Sequence, residues 1–277
     1  MRIVEVSLGE LYPACAVEGM PPRLQAFLHM DSCAAVNDRR YPSVIVCPGG
    51  AYRGLAPHEA EPVAMAYYQA GFNAFVLYYS CMPHAYFPLP VLQAAAAVDL
   101  VRTNPAWNGN GQVAIGGFSA GGHLSAYLGC HWKDALITDK LGKGSRAYRP
   151  DATVLCYAAL PVKGETVLRC MSNYTQSADP MSMDIPTAVD ADTVPAFLWQ
   201  TMDDTTVLVE GALDYIAAMH GANVSVEAHL FPNGPHGLSL GTQDIQPERK
   251  VTDPNVSAWH GLSVAWLRGL FAKLDKE

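Results

Sequence analysis

The chain has 277 residues, of which 50% are hydrophobic and 16% charged, and 18 Lys and Arg against 26 Asp and Glu leave a net charge of -8. This composition excludes a disordered or acidic solvating chain, and the length suffices for a sizeable hydrophobic core. A negative surface without runs of like charge would repel phosphate backbones and anionic lipid, so we expect neither nucleic acid nor membranes as partners.

The amino terminus and the cysteines indicate the cellular compartment of the protein. The first residues, MRIVEVSLGELYPAC, lack the continuous apolar core of a signal peptide, and no window reaches the roughly 18 apolar residues of a membrane span. The seven cysteines are odd in number and include no CxxC pair, which indicates free thiols in a reducing compartment. The sequence therefore predicts a soluble, cytoplasmic protein.

Short apolar runs alternate with helical stretches along the chain. The first run, Leu24–Met30, alternates in polarity and predicts an antiparallel strand at the edge of a sheet. The later runs are continuously apolar, as in strands covered on both faces. They are Ser43–Cys47, Asn73–Tyr79, Gln112–Gly116, Thr153–Tyr157, Pro195–Gln200 and Val224–Phe231. The candidate helices are residues 59–70, 90–103, 120–131, 207–220 and 256–273.

The β-α-β-α order of these elements predicts an α/β fold with a mostly parallel central sheet and helices on both faces. We expect residues 1–277 to form a single domain of this kind. Two polar segments interrupt the order. Residues 160–193 either cover a substrate entrance or form a surface excursion, and residues 238–255 form a second insertion.

The motif that carries chemistry is GFSAG, Gly117–Gly121, which follows a predicted strand and opens a predicted helix. A serine on such a tight turn projects its hydroxyl clear of the sheet, and the flanking glycines relieve crowding. The N–H groups of the helix N-terminus then face a developing oxyanion. So short a pattern arises by chance about one time in ten. Its placement between strand and helix nevertheless favours Ser119 as a nucleophile.

Three further loops follow predicted strands. The first, Cys47–Tyr52 (CPGGAY), is glycine-rich as in esterases that bind an oxyanion with backbone N–H groups, although Pro-Gly-Gly is also an ordinary turn. The second contains Asp203 and Asp204, at a position suited to a triad acid or to a helix N-cap. The third contains His236. The order Ser, Asp, His, each after a strand, is typical of one hydrolase architecture.

These stretches resemble the α/β-hydrolase superfamily, and within it the small bacterial esterases related to acetyl-xylan esterases and the BD-FAE-like group. The similarity spans nearly the whole chain from about residue 24 onward. The matching stretches are VIVCPGGAYRGLAPHEAEPVA (44–64), GFNAFVLYYS (71–80), VAIGGFSAGGHLSAYLG (113–129), FLWQTMDDTTV (197–207) and GPHGL (234–238).

The resemblance implies a serine carboxylesterase that acts on short acyl, above all acetyl, esters of small molecules or oligosaccharides through an acyl-enzyme. It implies no metal and no organic cofactor. The implied roles are nucleophile Ser119, base His236 and acid Asp204, with oxyanion N–H donors Gly50, Ala51 and Ala120.

This sequence departs from the family pattern in two places. Ala51 stands where relatives commonly have a third glycine. The doubled Asp203-Asp204 leaves open which of the two is the triad acid. In this superfamily the acid commonly stands three residues before a valine that begins the next helix, and Val207 occupies that position relative to Asp204, which favours Asp204.

Two other functions fit the same pattern. One is amide hydrolysis, of the formamidase or peptidase kind, by the same triad. The other is a catalytically silent hydrolase fold that serves as a binding module, against which the complete Ser, Asp and His set argues.

Other polar residues have simpler interpretations. His58 and Glu59 begin an H-E-x-x-H pattern, but Pro62 occupies its last position, which excludes that zinc site. Glu59 is either a hydrogen-bonding group near the mouth of the site or an ordinary acid of a first helical turn. For His123 and His131 we expect buried or capping roles.

Overall fold

The computed structural model describes residues 1–30, 39–160, 174–175, 183–242 and 255–276. Most of the two polar segments, and with them the suggested cover over a substrate entrance, lies outside these residues. Within them, none of the helices is long and apolar enough to cross a membrane.

The described residues form an eight-stranded sheet with helices on both sides. The strands are β1 Arg2–Ser7, β2 Arg23–Leu28, β3 Tyr41–Cys47, β4 Asn73–Tyr78, β5 Gly109–Phe118, β6 Ala152–Cys156, β7 Ala196–Thr201 and β8 Val226–Phe231. The helices are α1 Leu8–Leu11, α2 Glu61–Gln69, α3 Leu89–Thr103, α4 Ala120–His131, α5 Ala135–Leu141, α6 Ile185–Ala188, α7 Glu210–Gly221 and α8 Ala258–Leu274.

The strand order is β1-β2-β4-β3-β5-β6-β7-β8. The six strands from β4 to β8 in this order are parallel, and β1 and β2 are antiparallel to their neighbours. The predicted α/β fold with a mostly parallel sheet is therefore confirmed.

Both faces of the sheet are covered, which explains why its strands are continuously apolar. In β3, Val44 and Val46 belong to the cluster that includes residues of α2 and α8, and Ile45 and Cys47 to the cluster that includes residues of α3 and α4. Side chains alternate across a strand, so each face of β3 contacts a different helix layer.

The prediction that the first run is an edge strand is wrong. β2 pairs with β4 on one side and with β1 on the other, in a register that places Ile3 opposite Phe27. β1 is missing from the prediction because three of its six residues are exposed and none is fully buried, so it lacks the apolar run that identified the other strands. The short helices α1, α5 and α6 are also absent from the prediction.

The parallel strands end at one edge of the sheet. The loops after β3, β5, β6, β7 and β8 therefore lie side by side along that edge. In an open α/β sheet this is where ligands bind.

Candidate active site

Ser119 is the single residue between β5 and α4, and its backbone is strained. Its φ of 51° and ψ of -117° lie outside the regions that L-residues favour, at a cost of about 1–3 kcal/mol. Neighbouring backbone holds it there: its N–H donates to the Cys156 carbonyl at 3.1 Å, and its carbonyl accepts from the N–H groups of His123 at 2.9 Å and Ala159 at 3.1 Å.

The glycines of GFSAG let the end of β3 approach the turn. A Cβ on Gly117 would lie 2.4 Å from the Cys47 carbonyl oxygen, and one on Gly121 would lie 2.1 Å from the same atom. No side chain fits at either position. The motif is thus required by packing between β3 and the turn as well as by the turn itself.

The three side chains singled out in the sequence lie in one hydrogen-bonded line. His236 Nε2 is 2.9 Å from Ser119 Oγ, and His236 Nδ1 is 2.7 Å from Asp204 Oδ2. An aspartate facing Nδ1 fixes the tautomer that leaves Nε2 free to accept the serine proton. Asp204 is buried, whereas Ser119 and His236 are partly exposed to the pocket.

Asp204 is oriented by its own loop. Its Oδ1 atom accepts from the backbone N–H groups of Thr206 at 2.8 Å and Val207 at 3.0 Å. Its Oδ2 atom also accepts from Gln200 Nε2 at 3.2 Å, and the same amide donates to the Val207 carbonyl at 2.8 Å. These donors offset the cost of burying the carboxylate and point Oδ2 at His236.

The loop after β3 faces Ser119 across a pocket of about 240 Å³, which Gly50, Ala51, Ser119 and His236 border. Gly50 has a φ of 134°, and a Cβ there would lie 2.2 Å from the Gly54 carbonyl oxygen, so only glycine fits. Ala51 has a φ of 55°, a left-handed conformation that glycine adopts without cost. This explains why a glycine suits the position that Ala51 occupies.

Ala120, the third expected N–H donor, is buried at the first position of α4. The helix N-terminus therefore begins directly after Ser119, and its positive end points toward the pocket.

His123 is buried, as expected, and supports the loop after β3. Its Nδ1 accepts from the hydroxyl of Tyr52 at 2.8 Å, and its Nε2 donates to the Met183 carbonyl at 3.0 Å. Burial lowers the pKa of His123 to about 4, so the ring is neutral at physiological pH. His131, at the end of α4, pairs with Asp134 at 2.8 Å.

Glu59 is the hydrogen-bonding group at the mouth of the site, not an acid of the first turn of α2. It is buried, borders the pocket, and accepts from the Gly49 N–H at 2.7 Å and from the Tyr157 hydroxyl at 2.6 Å. From the sequence, Tyr157 is predicted only as the end of a strand and has no predicted role at the site. Its position directly after β6, at the carboxyl end of a central parallel strand, is the signal that identifies it.

Other chemistries find less support in the described part of the chain. No three His, Cys, Asp or Glu side chains there form a group that could hold a metal ion. Cys47 adjoins the pocket loop, but burial raises the pKa of its thiol to about 12, so it is not a thiolate near neutral pH.

Comparison with known proteins agrees with the fold and identifies the family. The family model described as BD-FAE matches residues 32–185, more than half of the chain. A curated relative, endo-1,4-beta-xylanase B of Butyrivibrio fibrisolvens, is 30% identical over 236 residues, or 82% of this chain. The chain spans only 36% of the length of that relative.

Two solved structures match almost end to end. The acetyl ester-xyloside bifunctional hydrolase from Caldicellulosiruptor lactoaceticus is 30% identical, with a TM-score of 0.78 over 96% of both chains. The carboxylesterase Cest-2923 from Lactobacillus plantarum WCFS1 is 26% identical, with a TM-score of 0.83 over 98% of both chains. The chain therefore belongs to the BD-FAE family of α/β-hydrolase-fold carboxylesterases.

Proposed function

We propose that this protein is a serine carboxylesterase that hydrolyses short-chain acyl esters, with acetyl esters of small molecules or oligosaccharides as its substrates. The observation that carries the proposal is the hydrogen-bonded line from Asp204 through His236 to Ser119 at the N-terminus of α4. The similarity to an acetyl ester-xyloside hydrolase and to a carboxylesterase supports the substrate class.

In the proposed first half-reaction, His236 Nε2 takes the proton of Ser119 as Oγ attacks the ester carbonyl carbon. The carbonyl electrons move to oxygen, and the resulting oxyanion is bound by the backbone N–H groups of Gly50, Ala51 and Ala120. Asp204 stabilises the imidazolium that forms. Each N–H donor to the oxyanion typically stabilises the transition state by ~3–4 kcal/mol.

The tetrahedral intermediate then expels the alcohol, which takes the proton from His236, and this completes the first half-reaction. The acyl group is then an ester of Ser119. In the second half-reaction, water attacks this ester while His236 accepts a proton from the water. The second tetrahedral intermediate then releases the carboxylic acid, and His236 returns the proton to Ser119.

Two measurements test the proposal. A fluorophosphonate probe should label the wild type but not Ser119→Ala, which separates an enzyme from a silent binding module. Hydrolysis of p-nitrophenyl acetate beside p-nitroacetanilide should show a strong preference for the ester. Absent labelling would contradict the serine mechanism, and faster cleavage of the anilide would assign the site to amides.

We further propose that residues 1–277 form one domain that works in a reducing compartment such as the cytoplasm. Elements from β1 to α8 pack on a single sheet, and the five described cysteines are buried free thiols. Titration of the unfolded, freshly purified protein should therefore find all seven thiols reactive. A count of five or fewer would indicate a disulfide and contradict the reducing compartment.

A further inference from the structure

Glu59 is a buried carboxylate that the proposed mechanism does not use. Its side chain is only 4% exposed, and the hydrogen bonds it accepts come from two neutral donors, the Gly49 N–H and the Tyr157 hydroxyl. The partly exposed imidazole of His58 also lies near it, with Nε2 3.6 Å from Glu59 Oε1, beyond hydrogen-bond distance. Burying a carboxylate costs free energy that burying an apolar side chain would not. The position of this carboxylate therefore calls for a reason other than stability.

Through Gly49, Glu59 contacts the loop that faces Ser119. A Cβ on Gly49 would lie 2.7 Å from Glu59 Oε2 and 3.0 Å from Ser119 Cβ. Gly49 is thus held between the carboxylate and the serine. The next two residues, Gly50 and Ala51, are the proposed oxyanion donors. The hydrogen bond to Gly49 therefore fixes the position of the backbone directly before their N–H groups.

Through Tyr157, Glu59 contacts the loop that carries His236. The Tyr157 hydroxyl donates to Glu59 and accepts from the Ser239 N–H at 2.9 Å. The Tyr157 ring packs edge-on against the imidazole of His236, with the ring centroids 5.0 Å apart. Burial and the nearby Glu59 charge raise the pKa of Tyr157 well above its ordinary value, so its hydroxyl stays a donor.

A second bond closes the connection between the two loops. The Ser239 hydroxyl donates to the His58 carbonyl at 2.5 Å, one residue before Glu59. The turn that carries Glu59 and the loop that carries His236 are therefore joined at two points. Gly49, Glu59, Tyr157 and Ser239 form what we term the Glu59 link.

We propose that Glu59 is a positioning residue, which through the Glu59 link holds the Gly50 and Ala51 N–H groups in register with His236 and Ser119. The inference rests on the proposed esterase function. Donors placed in advance stabilise an oxyanion but contribute little to binding the uncharged ester, so the link should act on the transition state rather than on the substrate.

The test uses Glu59→Gln, in which one acceptor oxygen becomes an amide donor, and Tyr157→Phe, which keeps the ring beside His236 and removes the hydroxyl. We expect each variant to lower kcat on p-nitrophenyl acetate by about 10- to 100-fold, with KM within about threefold of wild type. Inhibition by a trifluoromethyl ketone, whose adduct with the serine carries an oxyanion, should weaken by the same factor. The double variant should be no worse than the more affected single one.

Glu61→Gln is the matched control. Glu61 also accepts from a tyrosine hydroxyl, that of Tyr78 at 2.5 Å, but it stands in α2 and does not line the pocket. Its kcat should stay within about twofold of wild type. Fluorophosphonate titration of active sites corrects each rate for the folded fraction, so a merely structural role would lower the thermal midpoint and leave the corrected kcat unchanged.

A folded Glu59→Gln variant with wild-type kcat and wild-type ketone affinity would overturn the inference. If Glu59→Gln does not fold, Tyr157→Phe decides by the same criteria. An inactive wild type would remove the proposed function and this inference together, whereas an active wild type beside unaffected link variants would remove this inference alone.

Discussion

Asp203 Oδ1 accepts a hydrogen bond of 2.7 Å from the backbone N–H of Gly234, two residues before His236. Its neighbour Asp204 contacts the imidazole of His236 itself. The doubled aspartate therefore holds one loop twice, once by its backbone and once by its histidine. Because adjacent residues in an extended loop point in different directions, only one carboxylate reaches the ring.

We predict that Asp204→Asn lowers kcat by about 10³- to 10⁴-fold, because an amide favours the wrong tautomer of His236. Asp203→Asn should lower kcat less than about tenfold, since asparagine keeps the Oδ1 acceptor for Gly234. Turnover of both variants on one ester under one set of conditions decides the matter. The reverse ranking would make Asp203 the acid.

We predict a preference for acetate over octanoate esters of at least about tenfold in kcat/KM. The pocket of about 240 Å³ is smaller than the ~300–1,000 Å³ typical of sites for drug-sized ligands. Gly50, Ala51, His58, Glu59 and Thr206 are among the residues that border it, and its volume leaves little room for the six further methylenes of an octanoyl group. A series of p-nitrophenyl esters from acetate to octanoate measures this, and equal efficiency on octanoate would refute it.

Two helical glycines should respond oppositely to alanine. Gly121→Ala places a Cβ 2.1 Å from a backbone carbonyl oxygen, so we expect the free energy of unfolding to fall by about 3 kcal/mol or more. Gly269→Ala, in α8, meets nothing within 4 Å and should raise it by ~0.5–1 kcal/mol through helix propensity. Urea unfolding of both variants gives the comparison. A neutral Gly121→Ala would mean that the turn and β3 can move apart.

The buried His123 should make stability depend on pH. Its pKa is about 4 in the native state against about 6.5 when exposed, so between these values the unfolded chain binds a proton that the native protein does not. The contribution is fully present above about pH 6.5 and is lost as the pH falls toward 4, with a slope of up to about 1.4 kcal/mol per pH unit.

His123→Gln isolates this contribution, because glutamine offers one acceptor for Tyr52 and one donor for the Met183 carbonyl and does not titrate. We expect the pH dependence of the free energy of unfolding between pH 4 and 6.5 to decrease by about one proton in the variant. Identical slopes in the two proteins would show that His123 is not the titrating group. His260, whose pKa burial also lowers to about 4, remains in both proteins.

Much of the fold follows from local pattern. Continuous apolar runs and the helices between them predicted β3 to β8, because a strand covered on both faces needs apolar side chains on both. The loops after these strands contain Ser119, Asp204 and His236, and parallel strands end at one edge, so the sequence order alone predicted that the three would meet. The edge strand β1 was not predicted, since a strand with half of its side chains exposed has no continuous apolar run.

The tertiary structure decided what the local pattern does not contain. Which carboxylate reaches His236 depends on the direction of each side chain in a loop, and this is set by the N–H groups of Thr206 and Val207. Glu59 and Tyr157 lie 98 residues apart and belong to loops after different strands. Their contact exists only because the sheet order brings those loops together, and hydrogen bonds between distant loops leave no periodicity in the chain.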